Sequence, residues 1–364
     1  MMRQIISALN KKLLRDLWII KGQLVAIVFV MASGIMTFVL SFGVIDSLEL
    51  GQEIYYARSE FADVWAGAKR VPQDVDEQIK QINGVSQVET RVTFGGIIQV
   101  DGMEEPATGR IISLPDNREP LLNKIYLERG RLLRPDEEDA VLASEAFVLA
   151  HDFILGDTVD MIINGHKRTL KIVGVVLSPE YVYSLGPGAL IPDNKRFGVF
   201  WMSQHALEAA VDMDGAFNDV AVRLNRGANV EDVKAELDRI LKPYGGLISY
   251  GRDEQLSNWF VENELAQNRT MGTVTPIIFL CVAAFLVNVV MTRQVAIQRV
   301  QIGMLKAVGY NETEIALHYL RMVMVIVTLG SIIGLIGGAW LGNGLLNMYA
   351  DYFRFPYLRY TYSA

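Results

Sequence analysis

Residues 22–45 read GQLVAIVFVMASGIMTFVLSFGVI, 24 consecutive positions without a charged side chain. A helix of about 20 such residues crosses the hydrocarbon core of a bilayer, so this stretch is long enough to span a membrane. Two further uncharged runs share the property, 270–292 with 23 residues and 322–350 with 29. Together they account for a mean hydropathy of +0.23 in a chain that is 51% hydrophobic and still 21% charged. Three spans exclude a purely cytosolic enzyme. Arg3, Lys11, Lys12, Arg15 and Lys21 precede the first run, as basic residues precede a secretory signal. A signal's apolar region is only about 7–15 residues long and is followed by a small-x-small cleavage site, which this run lacks, so it reads as an uncleaved anchor. The single cysteine, Cys281, lies inside the second run and reads as a small apolar membrane residue.

The charges are unevenly distributed. Residues 1–21 and 293–321 together hold nine Lys/Arg and three Asp/Glu, whereas 46–269 holds 23 bases against 37 acids. Short basic segments stay in the cytoplasm. We therefore expect a cytoplasmic basic N-terminal helix (1–21), a first transmembrane helix (22–45), an outer domain (46–269), a second transmembrane helix (270–292), a cytoplasmic loop (293–321) and a third transmembrane helix (322–350). Residues 351–364 then form an outer-side tail, from which the native chain is expected to continue into at least one more span. An acidic exterior argues against nucleic acid as a partner. Within 4–18, Ile5, Leu9, Leu13 and Leu17 share one face and Lys11, Lys12 and Arg15 lie elsewhere, which suits either a helix on the inner membrane surface or a plain extension of the first span.

The 46–269 segment has the composition of a folded domain, and its patterning contains a weak internal echo. Val75, Ile79 and Ile82 follow a helical spacing that ends at Asn83-Gly84, and a strand-like Val85–Val92 comes next. Val233, Leu237 and Ile240 repeat that spacing before Pro243, with a strand-like Leu247–Tyr250 after it. Strand-like runs at 62–66 and 218–224 precede both helices. Two β-α-β units would share one split α/β layer. Between them, about 94–205 reads as an inserted β-rich subdomain, with turns expected at Gly95-Gly96, Asp101-Gly102, Gly156-Asp157 and Asn164-Gly165. The last of these, between Val159–Ile163 and Thr169–Val176, is a strong hairpin signal. Helical patterns at 48–61 and 253–269 are expected to form a stalk. The fold class is thus an α-helical transmembrane protein with a large α+β extracytoplasmic domain.

Catalytic patterns are missing. There is no G-x-x-x-x-G-K-[ST], so any use of ATP requires a partner chain. His151, His166, His205 and His318 are scattered, there is no H-E-x-x-H and no metal site is expected, and no G-x-S-x-G elbow occurs. The spans contain no Asp, Glu, Lys, Arg or His, which counts against an ion-driven carrier. In the third span Gly330, Gly334, Gly338 and Gly342 form small-x-x-x-small pairs suited to close helix packing.

The most distinctive stretch is Arg299–Tyr310, RVQIGMLKAVGY, followed by Asn311-Glu-Thr-Glu314. Its local chemistry specifies a short helix stopped by Gly309 and a new helix with Asn311 as N-cap and Glu314 in the capping-box position. A helix-turn-helix elbow between two spans is a lever. This stretch resembles the E-I-G-x-x-[KR]-A-x-G signature of the FtsX-like, MacB-type permease family of ABC transporters, a group that includes macrolide exporters and lipoprotein-releasing permeases. Gln301-Ile302-Gly303-Met304-Leu305-Lys306-Ala307-Val308-Gly309 matches every fixed position except the first, where Gln301 replaces the acid.

The order of span, outer domain and two spans also resembles the family, whose members usually carry a fourth span. The resemblance implies a non-enzymatic permease in the bacterial cytoplasmic (inner) membrane. ATP and Mg would be bound by a separate cytoplasmic ABC ATPase, not by this chain, and the motion of that subunit would reach the outer domain. Gln301, Ile302, Gly303, Lys306, Ala307, Gly309 and Tyr310 become the ATPase-docking residues. Gly303 and Ala307 would let the elbow seat closely, Lys306 would meet an acidic or carbonyl surface, and Gly309 would set the exit angle. Further implied partners are a second permease copy or a pseudo-symmetric half, membrane lipid and an outer-side adaptor protein. Two other functions stay open at this point, a regulator of an outside cell-wall hydrolase and a ligand-sensing membrane receptor. Affinity purification that asks which ATPase and which outer-side protein accompany the chain separates them.

Overall fold

The computed structural model describes residues 8–135 and 137–361; Ile5, the side chain of Leu9 and the last three residues lie outside the described set. In chain order the elements are α1 (Ala8–Ile19), α2 (Lys21–Arg58), β1 (Val64–Pro72), α3 (Val75–Lys80), β2 (Val85–Arg91), β3 (Thr93–Gln99), β4 (Ala107–Leu114), β5 (Tyr126–Gly130) and β6 (Ala140–Ser144). Next come α4 (Glu145–Ala150), β7 (Thr158–Ile163), β8 (His166–Leu177), β9 (Phe197–Ser203), α5 (Gln204–Ala210), β10 (Ala216–Leu224), α6 (Val230–Leu241) and β11 (Tyr250–Gly251). Three helices close the chain, α7 (Leu256–Ile297), α8 (Arg299–Ala307) and α9 (Glu312–Ala350). Two compact units result: a helical unit of 1–48, 265–348 and 359–364, and a sheet unit of 49–264 and 349–358.

In the helical unit α2, α7 and α9 are long and apolar enough to cross a membrane, with mean hydropathies of 2.4, 2.5 and 2.3 over their most apolar windows. The patterns assigned separately to span and stalk merge, because α2 runs 38 residues and α7 runs 42 residues. α9 buries a stripe at every fourth residue, from His318 through Met322, Ile326, Gly330, Gly334, Gly338 and Gly342 to Leu346. The glycines meet α2: a Cβ on Gly330 would lie 3.0 Å from Met31, one on Gly334 2.7 Å from Ile35, and one on Gly338 2.8 Å from Val39. These α2 residues are themselves four apart, so the two stripes run in register and glycine allows the backbones to approach. At Gly342 the space is filled by the Tyr360 ring, which also occupies the space beside Gly43.

The sheet unit contains two sheets. In the first, the order β11-β1-β10-β2 is antiparallel throughout. The units β1-α3-β2 and β10-α6-β11 interleave in it, and Val75 and Ile79 of α3 join Val233, Leu237 and Leu241 of α6 against Val64, Val220 and Val222. In the second, seven strands run in the order β5-β8-β6-β9-β4-β3-β7, and β7 pairs again with β8, which closes six of them into a ring. Closure leaves β5 as an added edge strand and surrounds a core that includes Ile98, Ile111, Met161, Leu170 and Phe200. Closing the ring gives each of its six strands two neighbours and leaves no edge within the ring itself.

Two local expectations are corrected. Gly95-Gly96 is no turn; it lies inside β3, where Gly96 faces Met161 and a Cβ would come within 3.1 Å of it. A glycine within a strand there serves close approach in a crowded ring. The strand expected at Leu247–Tyr250 shrinks to Tyr250–Gly251, with Leu247 and Ile248 exposed. α4, of six residues, adds a short helix within the region read mostly as strands with turns, and α5, of seven, begins at its end. Within the stretch read as an outer-side tail, Tyr349–Leu358 belongs to the sheet unit, with Phe353 and Phe355 buried. The Arg354 backbone N–H donates to the Val182 carbonyl at 2.9 Å, and the Phe355 ring meets Tyr55 edge-on.

Candidate functional site

α8 presents an unpartnered surface. Among the described residues none of its side chains is buried. Val300, Met304 and Val308, four apart, are 74%, 57% and 79% exposed. Gln301, Gly303 and Ala307 are exposed beside them, and Ile302 is half-buried. No described atom lies within 4 Å of the Cβ position of Gly303 or Gly309.

Both ends of the elbow are fixed by backbone chemistry. Gly309 adopts φ +102°, the Tyr310 N–H donates to the Leu305 carbonyl and the Gly309 N–H to the Lys306 carbonyl, each at 3.1 Å. This is the glycine-terminated Schellman pattern. One residue later the Glu314 carboxylate accepts from the Asn311 N–H at 2.9 Å, the reciprocal half of a capping box. Lys306 Nζ lies 2.6 Å from Glu312 across the turn, and both side chains are exposed. A pair so exposed is screened by solvent and adds little to the stability of the turn.

The root of α8 is held by a polar cluster that pattern reading missed. Gln298, the single residue between α7 and α8, is buried. Its Oε1 accepts from Lys12 Nζ at 2.7 Å and from the Tyr319 hydroxyl at 2.9 Å. Lys12 also pairs with Asp16, whose Oδ2 lies 3.3 Å from Nε2 of the buried His318. α1, the α7–α8 junction and α9 thus meet in one network. The one trace of it in the sequence is that Asp16 is the only acid among residues 1–21. His318 continues the buried stripe of α9, while Gly330, Gly334, Gly338 and Gly342 lie further along it, against α2 and Tyr360 and away from the elbow.

Three membrane-length helices combined with a sheet unit of this topology define a multi-pass membrane protein with an α+β extracytoplasmic domain. Residues 24–240 match the MacB-like periplasmic core domain and residues 273–364 match the FtsX-like permease C-terminal region. The chain belongs to the FtsX-like, MacB-type permease family. Among solved structures it is similar to the periplasmic region of MacB from Actinobacillus actinomycetemcomitans, at 12% identity and a TM-score of 0.35, covering 58% of this chain and 95% of that one. It is also similar to the extracellular domain of the noncanonic ABC-type transporter YknZ from Gram-positive bacteria, at 12% identity and a TM-score of 0.33, covering 51% and 98%. No curated protein sequence matches the chain.

Proposed function

We propose that this chain is the permease subunit of an ATP-driven ABC transporter. It passes the motion of a separate cytoplasmic ATPase to its extracytoplasmic domain, for export or extraction of a lipoprotein, lipid, peptide or hydrophobic small molecule. ATP and Mg sit on the ATPase. The permease works with a second copy or a pseudo-symmetric half, in contact with membrane lipid and with an outer-side adaptor, in a bacterial cytoplasmic membrane. Its N-terminus and the 293–321 loop face the cytoplasm.

The observation that carries this function is the exposed apolar face of α8, Val300, Met304 and Val308, flanked by the open positions Gly303 and Ala307. An apolar helical face on a cytoplasmic loop is stable when a partner groove covers it. Small residues beside it let the groove wall reach the helix backbone. A push on α8 enters α7 through Gln298, while Lys12, Asp16 and Tyr319 keep that junction from yielding locally.

The test is made on the full chain with its copurifying ATPase. Gly303→Trp and Ala307→Trp should reduce stimulated ATP hydrolysis about tenfold or more, the loss of roughly 1.4 kcal/mol of docking, with membrane insertion unchanged. Lys306→Glu, which also sets an acid against Glu312, should weaken coupling more at low salt than at high salt. Gln301→Glu should be tolerated, since it restores the acid of the family signature. If both tryptophan variants copurify with and stimulate the ATPase as the parent does, α8 is only a connector.

A further inference from the structure

The sheet unit contains a cavity of about 410 Å³ where the end of α2, the 114–120 and 124–133 segments and Tyr357 come together. That size suits a small organic ligand. One part of its wall is apolar and aromatic, formed by Tyr55, Leu114, Ile125, Tyr126 and Leu133. Tyr126 and Tyr357 meet edge to face with ring centroids 5.6 Å apart. The Tyr55 ring is buried, and its hydroxyl has no hydrogen-bond partner among the described residues.

The charges at the mouth are unequal in their commitments. Arg118 is held by Glu89 through contacts of 2.7 and 3.0 Å. Arg58 instead stacks on the Tyr357 ring, 4.7 Å from its centroid, and Lys124 is half-buried. Neither Arg58 nor Lys124 has an ion-pair partner among the described residues, in a 46–269 segment where acids outnumber bases 37 to 23. Two cations that make no ion pair in such a segment, set beside an apolar wall, suit an anion attached to an apolar body. Asp116 and Glu119 also line the cavity, and their charges oppose a ligand with more than one negative charge.

We propose that this cavity binds an amphiphile with one apolar chain or ring system and a single anionic head, a carboxylate or a phosphodiester. Arg58 and Lys124 hold the head, and the aromatic walls take the apolar part. The site is independent of the coupling role of α8, since binding requires no ATPase; a failure of coupling leaves it standing, and its own failure leaves coupling untouched.

The test uses the full chain in phosphatidylcholine nanodiscs with the fluorescent fatty-acid probe 11-(dansylamino)undecanoate, with empty discs subtracted. Octanoate and octyl methyl phosphate should displace the probe, and the stronger of the two identifies the head group. Octanol should displace it weakly and octyltrimethylammonium not at all. Arg58→Gln combined with Lys124→Gln should weaken both anions about tenfold or more and leave octanol unchanged. Leu132→Trp, at a half-exposed lining position that tolerates bulk, should fill the cavity and abolish probe binding. Absence of probe binding above empty discs, displacement by the cationic amphiphile as strong as by the anions, or unchanged binding in either variant overturns the proposal.

Discussion

Arg91 has the most constrained charge in the sheet unit. Its buried guanidinium donates to Glu180 at 2.5 and 2.9 Å and to Asp219 at 2.6 and 2.8 Å, and the Trp65 indole N–H donates to Glu180 at 2.8 Å. Burial by itself pushes the guanidinium down, but Asp219 and Glu180 outweigh it and hold the group well above its usual range. Arg91→Met leaves two buried carboxylates facing each other and should cost about 3–5 kcal/mol, read as a lower urea midpoint of the full chain in detergent by Trp65 and Trp201 fluorescence. Arg91→Lys, which keeps the charge and loses the fork, should cost less. Glu145 behaves oppositely. Burial, and then the neighbouring Glu128, push its carboxyl up to about 7, against the pull of Arg354. Its folded pKa lies above its unfolded value, so the fold keeps a proton that the unfolded chain releases. The contribution of Glu145 to stability is therefore fullest below pH 4.5, falls as pH rises toward 7, and is level above it. Glu145→Gln should flatten that slope in urea titrations at pH 5 and pH 8. Neither residue was legible in the sequence, since the partners of Arg91 lie 89 and 128 positions away.

At the scale of elements, what is legible depends on how local the cause is. Asn164-Gly165 is read correctly as a hairpin because its chemistry suffices: both residues take positive φ, +50° and +79°, and β7 and β8 pair from Ile163–His166 outward. Gly95-Gly96 carries the same local signal and means something else, because the ring closed around Met161 decides it. α4 and α5 are too short for a helical period to show, and the aromatic segment 349–358 has no period at all. The Gly330–Gly342 spacing is visible in sequence, but its partner helix is not. The α9 stripe makes a specific demand on volume. Gly334→Leu sets a Cβ 2.7 Å from the Ile35 side chain and 3.0 Å from the Ala32 carbonyl, so the helices must separate. The cost should be about 1–3 kcal/mol, seen as an earlier loss of helicity on titration with dodecyl sulfate. Gly344→Leu, with no described atom within 4 Å of its Cβ position, should leave that titration unchanged.

For the molecule as a whole, the governing quantity is the distribution of charge along the chain. Residues 1–21 and 293–321 carry six more bases than acids, and 46–269 carries fourteen more acids than bases. The segments are separated by runs without any charge, so the asymmetry survives as a difference between the two sides of whatever membrane holds them. Retention of basic loops acts on segments shorter than about 60 residues, and both basic segments are short, whereas the acidic one is long enough for its translocation to be largely independent of charge. The expected orientation follows without reference to the family, and it would place the elbow at 299–310 on the side on which ATP is available. The prediction is tested with single cysteines at Asn164 and Asn311, both exposed, in a Cys281→Ala background. In intact cells an impermeant maleimide should label the Asn164→Cys chain and leave the Asn311→Cys chain unlabelled until the membrane is opened. Asn164 sits on a hairpin turn with φ +50°, which cysteine tolerates less well than asparagine, so Glu231→Cys on the exposed first turn of α6 serves as a second outer probe. Labelling of the Asn311→Cys chain in intact cells, with both outer probes silent, would invert the orientation and remove α8 from the reach of any cytoplasmic ATPase.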